Sequence, residues 1–445
     1  MNITWNEICN ETTFYKVALK VYTKFLFSPS KAFSKGIDDK NFYDFAQEKK
    51  AKELFSQLKS KKFNFRSAKV KKLIVNKKEK LVYLFPWEER LADALLYNVL
   101  SSKYHTFFSK NSYAYKIKGG GVDFCQDKIA KCIARQETLY IIKRDISNYF
   151  PSINHEILKT QLSNIIKDPD VLDILNQRIN FKYQDASSID LSAQQGIPFG
   201  SPIACFFANI YLDKIDKLFE SQSDVEYFRY ADDFLIITPS RSKALEIIES
   251  FDREINLLKL NLKPSHNKNF ILSTKRIEDA SFEHTSKFKH LGLEYRADKS
   301  VGLSRDKVRK ILNLAKRRVK KGIRKKWSVL PIEERAIKII ELANKGLTEN
   351  LKSVAIVDYY LKHVTDEKQL ALIDRYVAET ILAYTLNRGY KKSNFKILEY
   401  KRLRELGLMS LVHRSKLLRH QHIESRFFVL RNKIKEVHFE QKKKY

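Results

Sequence analysis

Two neighbouring carboxylates, Asp232 and Asp233, stand between two runs of large apolar residues in "VEYFRYADDFLIITPS" at 225–240. Alternating Val225, Tyr227 and Arg229 lead in and "FLIIT" leads out, which predicts a β-hairpin with the acids at its tip. At an effective dielectric of about 20, two carboxylates held there repel by a few kcal/mol unless cations or hydrogen bonds offset it. The pair therefore predicts a positive partner. A second pair, Asp38-Asp39 in "SKGIDDKNFY", has turn-like surroundings, and a solvated loop accounts for it. A third acid, Asp145, closes the strand-like "LYIIKRDI" just ahead of a turn over 148–151. An aspartate at a strand end is ordinarily a turn or cap residue. Strand ends in one sheet can also gather carboxylates from distant sequence, and hard divalent cations such as Mg²⁺ take oxygen ligands of that kind together with substrate phosphates. The chemistry open to such a cluster is two-metal phosphoryl transfer, one ion activating a 3′-hydroxyl and the other neutralising a leaving pyrophosphate.

The elements that must position these acids follow from patterning. From about 135 to 295, β-rich runs alternate with helical stretches, which argues for a sheet with helices packed on it, an α+β unit. After "VGLSRDKVRKIL" the pattern is helical almost throughout, with Ser304 as an expected N-cap and Pro331 and Gly346 at the expected start and end of "PIEERAIKIIELANKG". At 445 residues, two or three units are expected. With 84 Lys plus Arg against 52 Asp plus Glu, the net charge of +32 predicts an extended polyanionic partner, nucleic acid before an acidic membrane surface. The longest apolar stretch, "PIACFFANIYL", is about half of what a bilayer span needs. The N-terminus lacks an export pattern, so a cytoplasmic location is expected, with Cys9, Cys125, Cys132 and Cys205 as thiols.

The acids lie within an ordered set of motifs: "KRDISNYF", "QQGIPFGSPIACFFANIYLDKID", "YADDF", "LNLKPSHNK" and "KHLGLEY". In this order they resemble motifs A to E of a reverse transcriptase palm, and "NSYAYKIKGGGVDF" is similar to the segment preceding motif A in bacterial and group II intron reverse transcriptases. The resemblance covers roughly residues 60 to 295. It implies a right-hand polymerase: a helical N-terminal extension at 1–59, fingers and palm at 60–299, and an all-α basic thumb-like domain at 300–445. It implies that Asp145, Asp232 and Asp233 bind two Mg²⁺, or Mn²⁺, with the Ile146 carbonyl also facing a metal. Phe150 matches the ring that crowds the 2′ carbon of the nucleotide and selects dNTPs, with Tyr149 as the alternative ring and core packing as the bland reading. In motif B, Ser201 and Pro202 fit the N-cap and first position of a helix whose expected buried face is Ile203, Phe206, Phe207 and Ile210. Gln195 resembles the residue contacting nucleotide and template. Lys268 resembles the lysine that protonates pyrophosphate, although its spacing departs from the family pattern by about a residue and a surface lysine would look the same. His290, Leu291 and Gly292 resemble the primer-grip turn. For the triphosphate, Lys72, Lys80 and Arg90 are candidates, but the common fingers pattern is absent.

Downstream, "SRDKVRKILNLAKRRVKKGIRKK" holds twelve Lys or Arg and one acid. Standing where a thumb would, its residues Lys316, Arg317, Arg318, Lys320 and Lys321 are expected to follow a duplex backbone. His413, His420 and His422 lack the partners of a metal site and read as RNA contacts or ordinary surface. With no nuclease signature, the chain looks most like the abortive-infection or defence-associated bacterial reverse transcriptases. That likeness implies a structured non-coding RNA as template or scaffold, a DNA product, dNTPs as substrates, and a second copy or second reverse transcriptase subunit as the protein partner. The alternatives are a retron or group II intron-like enzyme, an RNA-dependent RNA polymerase, and a non-catalytic RNA-binding assembly protein.

Overall fold

The computed structural model describes residues 2–26, 49–75, 78–116, 119–184, 189–348 and 356–419. The chain divides into two compact units, the first formed by residues 1–125 and 140–270, the second by 126–139 and 271–445. It is a mixed α/β fold with a helical C-terminal region, as the sequence patterning predicts.

In the first unit one sheet has the order β6 (Glu226–Tyr230), β7 (Asp233–Thr238), β3 (Leu139–Asp145) and β8 (Lys268–Leu272). Strands β6 and β7 form the expected antiparallel hairpin, closed by Ala231 and Asp232 between the paired residues Tyr230 and Asp233. Strand β3 runs antiparallel to β7 from Tyr140↔Thr238 to Asp145↔Asp233. The apolar residues Ile141, Ile142 and Phe234 to Ile237 are all buried, so both faces of the sheet are covered by protein. A second sheet has the order β2 (Lys78–Leu84), β1 (Ala68–Val75), β4 (Lys182–Gln184) and β5 (Asp190–Ser192), and packs Ala68, Phe85, Phe181 and Ala193 into a small core.

Helix α1 (Trp87–Lys103) anchors this unit, because Asp93 on it meets Arg178 and Ser201 in a fully buried cluster. Arg178 donates to both Asp93 oxygens at 2.7 and 2.6 Å, and Ser201 Oγ donates to Asp93 Oδ2 at 2.6 Å. This moves a predicted boundary. Ser201 was expected to cap the helix of motif B, but its hydroxyl is taken by Asp93. That helix, α3 (Ala204–Tyr211), begins three residues later. Its expected buried face of Ile203, Phe206, Phe207 and Ile210 is present. Between β3 and α3 lies the single-turn helix α2 (Tyr149–Ser152), and beyond β7 lies helix α4 (Arg241–Leu257), capped by Ser240.

In the second unit β9 (Glu283–Thr285) precedes a three-stranded sheet of β10 (Lys287–His290), β11 (Leu293–Arg296) and β12 (Val301–Leu303). Helices α5 (Arg305–Gly322), α6 (Ile332–Thr348) and α7 (Glu367–Thr385) then pack together. Ser304 does stand at the N-cap of α5, but its side chain makes no capping hydrogen bond. Gly346 lies inside α6 rather than at its end. A Cβ there would come within 2.8 Å of the Leu314 carbonyl oxygen, so the glycine permits a close helix crossing. Among the described residues no helix is long and apolar enough to cross a membrane.

Candidate active site

The site is built at one end of the first sheet. Asp145 and Asp233 are direct partners across β3 and β7, so their side chains leave the same face with Cβ atoms roughly 5 Å apart. Asp232 occupies the turn, and its carbonyl accepts from the Ile146 amide at 3.3 Å. Three acids separated by almost ninety positions are thereby brought to adjoining strand ends.

Burial, followed by the neighbouring Asp145 and Asp232, pushes the Asp233 carboxyl up to about 7, against the opposing effect of Lys143 and Lys263. The cations acting on Asp233 are Lys143 and then Lys263, and Lys263 also pairs with the third acid: its Nζ lies 3.0 Å from Asp145 Oδ2 and its amide donates to the Asp145 carbonyl at 2.8 Å. An isolated antiparallel bridge between Ile146 and Leu262 sets this contact. Lys268, five residues further on, begins β8 with its side chain exposed and makes no ion pair with the acids. Lys263 was not singled out from the sequence, because the bridge that places it involves residues more than a hundred positions apart.

The turn itself is held from beneath. Arg229 is fully buried, and its guanidinium donates to both oxygens of Asp216, to Asn209 Oδ1 at 3.2 Å and to the Ala231 carbonyl at 3.1 Å. Tyr227 Oη donates to Asp216 Oδ1 at 2.6 Å. Ala231 takes a left-handed backbone (φ 61°), a conformation unfavourable for a residue with a Cβ, and the bond from Arg229 helps to fix it. The ion pair raises the Arg229 pKa still further above its ordinary value against the effect of burial. Neither Arg229 nor Asp216 stands out in the sequence as more than a surface charge.

The two candidate rings differ in burial. Tyr149 is buried and its hydroxyl donates to the Ala208 carbonyl at 2.5 Å, whereas Phe150 is partly exposed between the rings of Tyr115 and Phe199. The loop of motif B clamps this segment: Gly196 and Ile197 amides donate to the Ile153 and Phe150 carbonyls at 2.8 and 2.9 Å. Gly196 has φ +83°, and a Cβ would sit 2.9 Å from Pro151 backbone atoms, so glycine is required here. The exposed Gln195 side chain donates to the Ser152 carbonyl at 3.0 Å.

In donor chemistry the three carboxylates fit hard divalent cations, and a bound cation would offset both the burial and the neighbouring charges that raise Asp233. Among the described residues no three His, Cys, Asp or Glu side chains are already closed into a cage, Asp145 being engaged by Lys263.

Residues 69–295, just over half of the chain, match the family model described as reverse transcriptase (RNA-dependent DNA polymerase). The chain belongs to the reverse transcriptase family. Among curated relatives, a "Putative COX1/OXI3 intron 2 protein" of Saccharomyces cerevisiae is 31% identical over 119 residues, covering 26% of this chain and 14% of that protein. An "Uncharacterized 91 kDa protein in cob intron" of Schizosaccharomyces pombe is 26% identical over 180 residues, covering 39% of this chain and 21% of its own length. The chain thus matches about a seventh and a fifth of the length of these relatives. Among solved structures, the telomerase of Candida albicans in complex with a telomeric RNA fragment gives a TM-score of 0.44 at 12% identity, covering 82% of this chain and 66% of that one. Apo telomerase from Candida tropicalis gives 0.43 at 11% identity, covering 80% and 63%.

The remaining predicted residues of this reverse transcriptase domain lie apart from the acids in the chain. Lys72 is exposed on β1, opposite Leu81. Lys80 lies on β2, but its side chain is outside the described residues. Arg90 is largely buried in the first turn of α1, and burial lowers its pKa. In the second unit His290, Leu291 and Gly292 form the β10–β11 turn. His290 is buried, and Leu291 and Gly292 have φ 46° and 87°, the two left-handed positions of a tight hairpin loop. Gln126 donates to the Leu291 carbonyl at 2.9 Å. On α5 an inward stripe of Ile311, Ala315 and Val319 leaves Lys316, Arg317, Arg318, Lys320 and Lys321 exposed. His413 is exposed on the helix Leu411–Arg419, while His420 and His422 lie outside the described residues.

Proposed function

We propose that this chain is an RNA-directed DNA polymerase that adds dNMPs to a primer 3′ end. The observation that carries the reading is the ladder pairing of Asp145 with Asp233 beside the Asp232 turn, which gathers three oxygen donors at one end of a sheet. Asp145, Asp232, Asp233 and the Ile146 carbonyl are the groups that would hold two Mg²⁺ or Mn²⁺ ions. When bound, such ions lower the pKa of the 3′-hydroxyl and offset the charge of the departing pyrophosphate. Lys263 orients the Asp145 carboxylate through its ion pair. The partly exposed face of Phe150 excludes a ribose 2′-hydroxyl, and its clamp by Gly196 and Ile197 keeps the ring from yielding. Gln195, anchored on Ser152, lies one residue before that clamp and positions the nucleotide against the template. Lys268 protonates pyrophosphate, Lys72 and Lys80 bind the triphosphate, and the 290–292 turn holds the primer. The exposed cations of α5 follow the duplex backbone.

For the biological role we propose antiphage defence with a structured non-coding RNA as template or scaffold, supported by the likeness of the motifs to defence-associated enzymes and by the net charge of +32. A second reading, an intron-type reverse transcriptase, is favoured by the identity shared with the two intron-named proteins. Purified protein is incubated with its co-purifying RNA, labelled dNTPs and Mg²⁺. DNA synthesis is expected, falling by roughly 10³-fold in Asp232→Asn as several kcal/mol of transition-state stabilisation is lost. Synthesis unchanged by Asp232→Asn overturns the assignment, and a preference for rNTPs turns it to an RNA polymerase. Sequencing the bound RNA separates the two roles.

A further inference from the structure

Residues alternate between the two faces of a strand, so Arg144 projects to the side of β3 away from Asp145. On that side the first unit contains a cavity of about 310 Å³ lined by Arg144, Asp252, Asn267 and neighbours from the α4 terminus and the loop that follows it. Arg144 is 4% exposed. Its Nη1 donates to the Lys143 carbonyl and Asn269 Oδ1, both at 2.9 Å, and more weakly to the Lys268 carbonyl at 3.5 Å. Its Nε–H makes no hydrogen bond, Asp252 acting on the guanidinium through its charge alone, and on the same cavity Asp252 Oδ1 and Asn267 Oδ1 are buried without a donor. A buried polar atom left unmatched is destabilising, so three on one cavity call for an occupant.

The occupant must present an acceptor to a guanidinium and donors to a carboxylate and an amide oxygen, in a mostly polar space backed by the buried Ile255 and Leu260. We propose that this cavity binds a guanine base. Its O6 and N7 form the acceptor edge that arginine recognises, and its N1–H and N2–H₂ supply the donors that Asp252 and Asn267 lack. Adenine and cytosine each offer only one amino group as donor, against the N1–H and N2–H₂ of guanine. The base comes either from a free guanine nucleoside or from an unpaired guanosine in an RNA strand, two sources of one chemistry.

Occupancy reaches the carboxylates through the backbone. The Ser147 amide donates to the Asn261 carbonyl at 2.8 Å, and Lys263, two residues along, holds Asp145 through both its amide and its side chain. A base resting on 260–262 therefore stiffens the segment that positions Asp145. The site itself does not depend on the polymerase reading.

Calorimetric titration of the full chain with guanosine, which lacks the triphosphate of a substrate, tests the site. Binding is expected, at least tenfold tighter than for adenosine or cytidine, weakened at least tenfold by Asp252→Asn and by Asn267→Leu, and unchanged by Asp232→Asn. Two pocket variants guard against one failing to fold. In a second arm the single-stranded oligonucleotides UUGUU and UUUUU are compared. A preference for the guanosine-containing strand that disappears in the pocket variants identifies a base in RNA as the ligand, and guanosine binding without that preference identifies the free nucleoside. Absence of guanosine binding, equal binding of all nucleosides, or binding that survives both pocket variants overturns the proposal. Loss of binding in Asp232→Asn overturns it too, because guanosine would then be in the carboxylate site.

Discussion

The Ala231–Asp232 turn and helix α5 both concentrate charge, and they manage it in opposite ways. At the turn, burial and then the neighbouring Asp145 and Asp232 raise Asp233 to about 7, and a fully buried Arg229–Asp216 pair holds the backbone beneath the carboxylates. On α5 the apolar stripe of Ile311, Ala315 and Val319 faces inward and the cations stand outward, where solvent screens their repulsion. The first arrangement depends on each partner being present, since removing one leaves a charge buried without compensation. The second is redundant, with several cations sharing one surface.

The largest expected effect separates these two regimes on stability. Arg229→Met strands Asp216 in the interior, still bonded to Tyr227 but without its countercharge, and should cost about 3–5 kcal/mol by chemical denaturation. The double variant Arg229→Met with Asp216→Leu should recover most of that loss, because an apolar pair of similar volume carries no desolvation penalty. A loss below about 1 kcal/mol in the single variant would place the buried pair in the same redundant class as the α5 cations.

How far these regions were legible follows from how local their signals are. The period-2 alternation around Asp232 and the run ending at Asp145 predict two strand ends, and both strands are present. The alternation of α5 between apolar and basic residues likewise predicts a helix with one buried face, and that face is Ile311, Ala315 and Val319. What was not legible depends on contacts distant in sequence. Ser201 looks like a cap until Asp93, 108 positions earlier, takes its hydroxyl. Lys263 looks like a surface lysine until Leu262 bridges Ile146. Tyr149 and Phe150 are equivalent as letters, and only the Ala208 carbonyl behind Tyr149 distinguishes the buried ring from the presented one.

A smaller effect comes from Asp233 itself. Its folded pKa of about 7 lies above the unfolded value near 4, so its protonated form contributes stability that is complete below about pH 4 and lost as pH rises through about 7. In buffer with EDTA, wild-type stability relative to Asp233→Asn should therefore decline across that window and level off above it. Urea midpoints measured from pH 4 to 8 check this. A constant difference between the two proteins across the window would mean that burial and the neighbouring acids do not raise Asp233.

The smallest effect should be on α5, and its smallness carries the comparison. Lys320 is exposed near the end of the helix, so Lys320→Gln removes one cation without opening the stripe packed beneath. Folding stability should stay within about 0.5 kcal/mol of wild type. If Lys320 contacts a phosphate, the slope of log affinity against log salt for an RNA–DNA duplex should become shallower by roughly 0.7–0.9, the release of about one counterion, with the other cations of the helix still bound. Filter binding over a salt series measures the slope directly. A change of several units from this one substitution would mean that Lys320 organises the surface rather than sharing it, which would make α5 resemble the carboxylate turn. No change at all would remove Lys320 from the contact surface while leaving its neighbours to be tested in the same way.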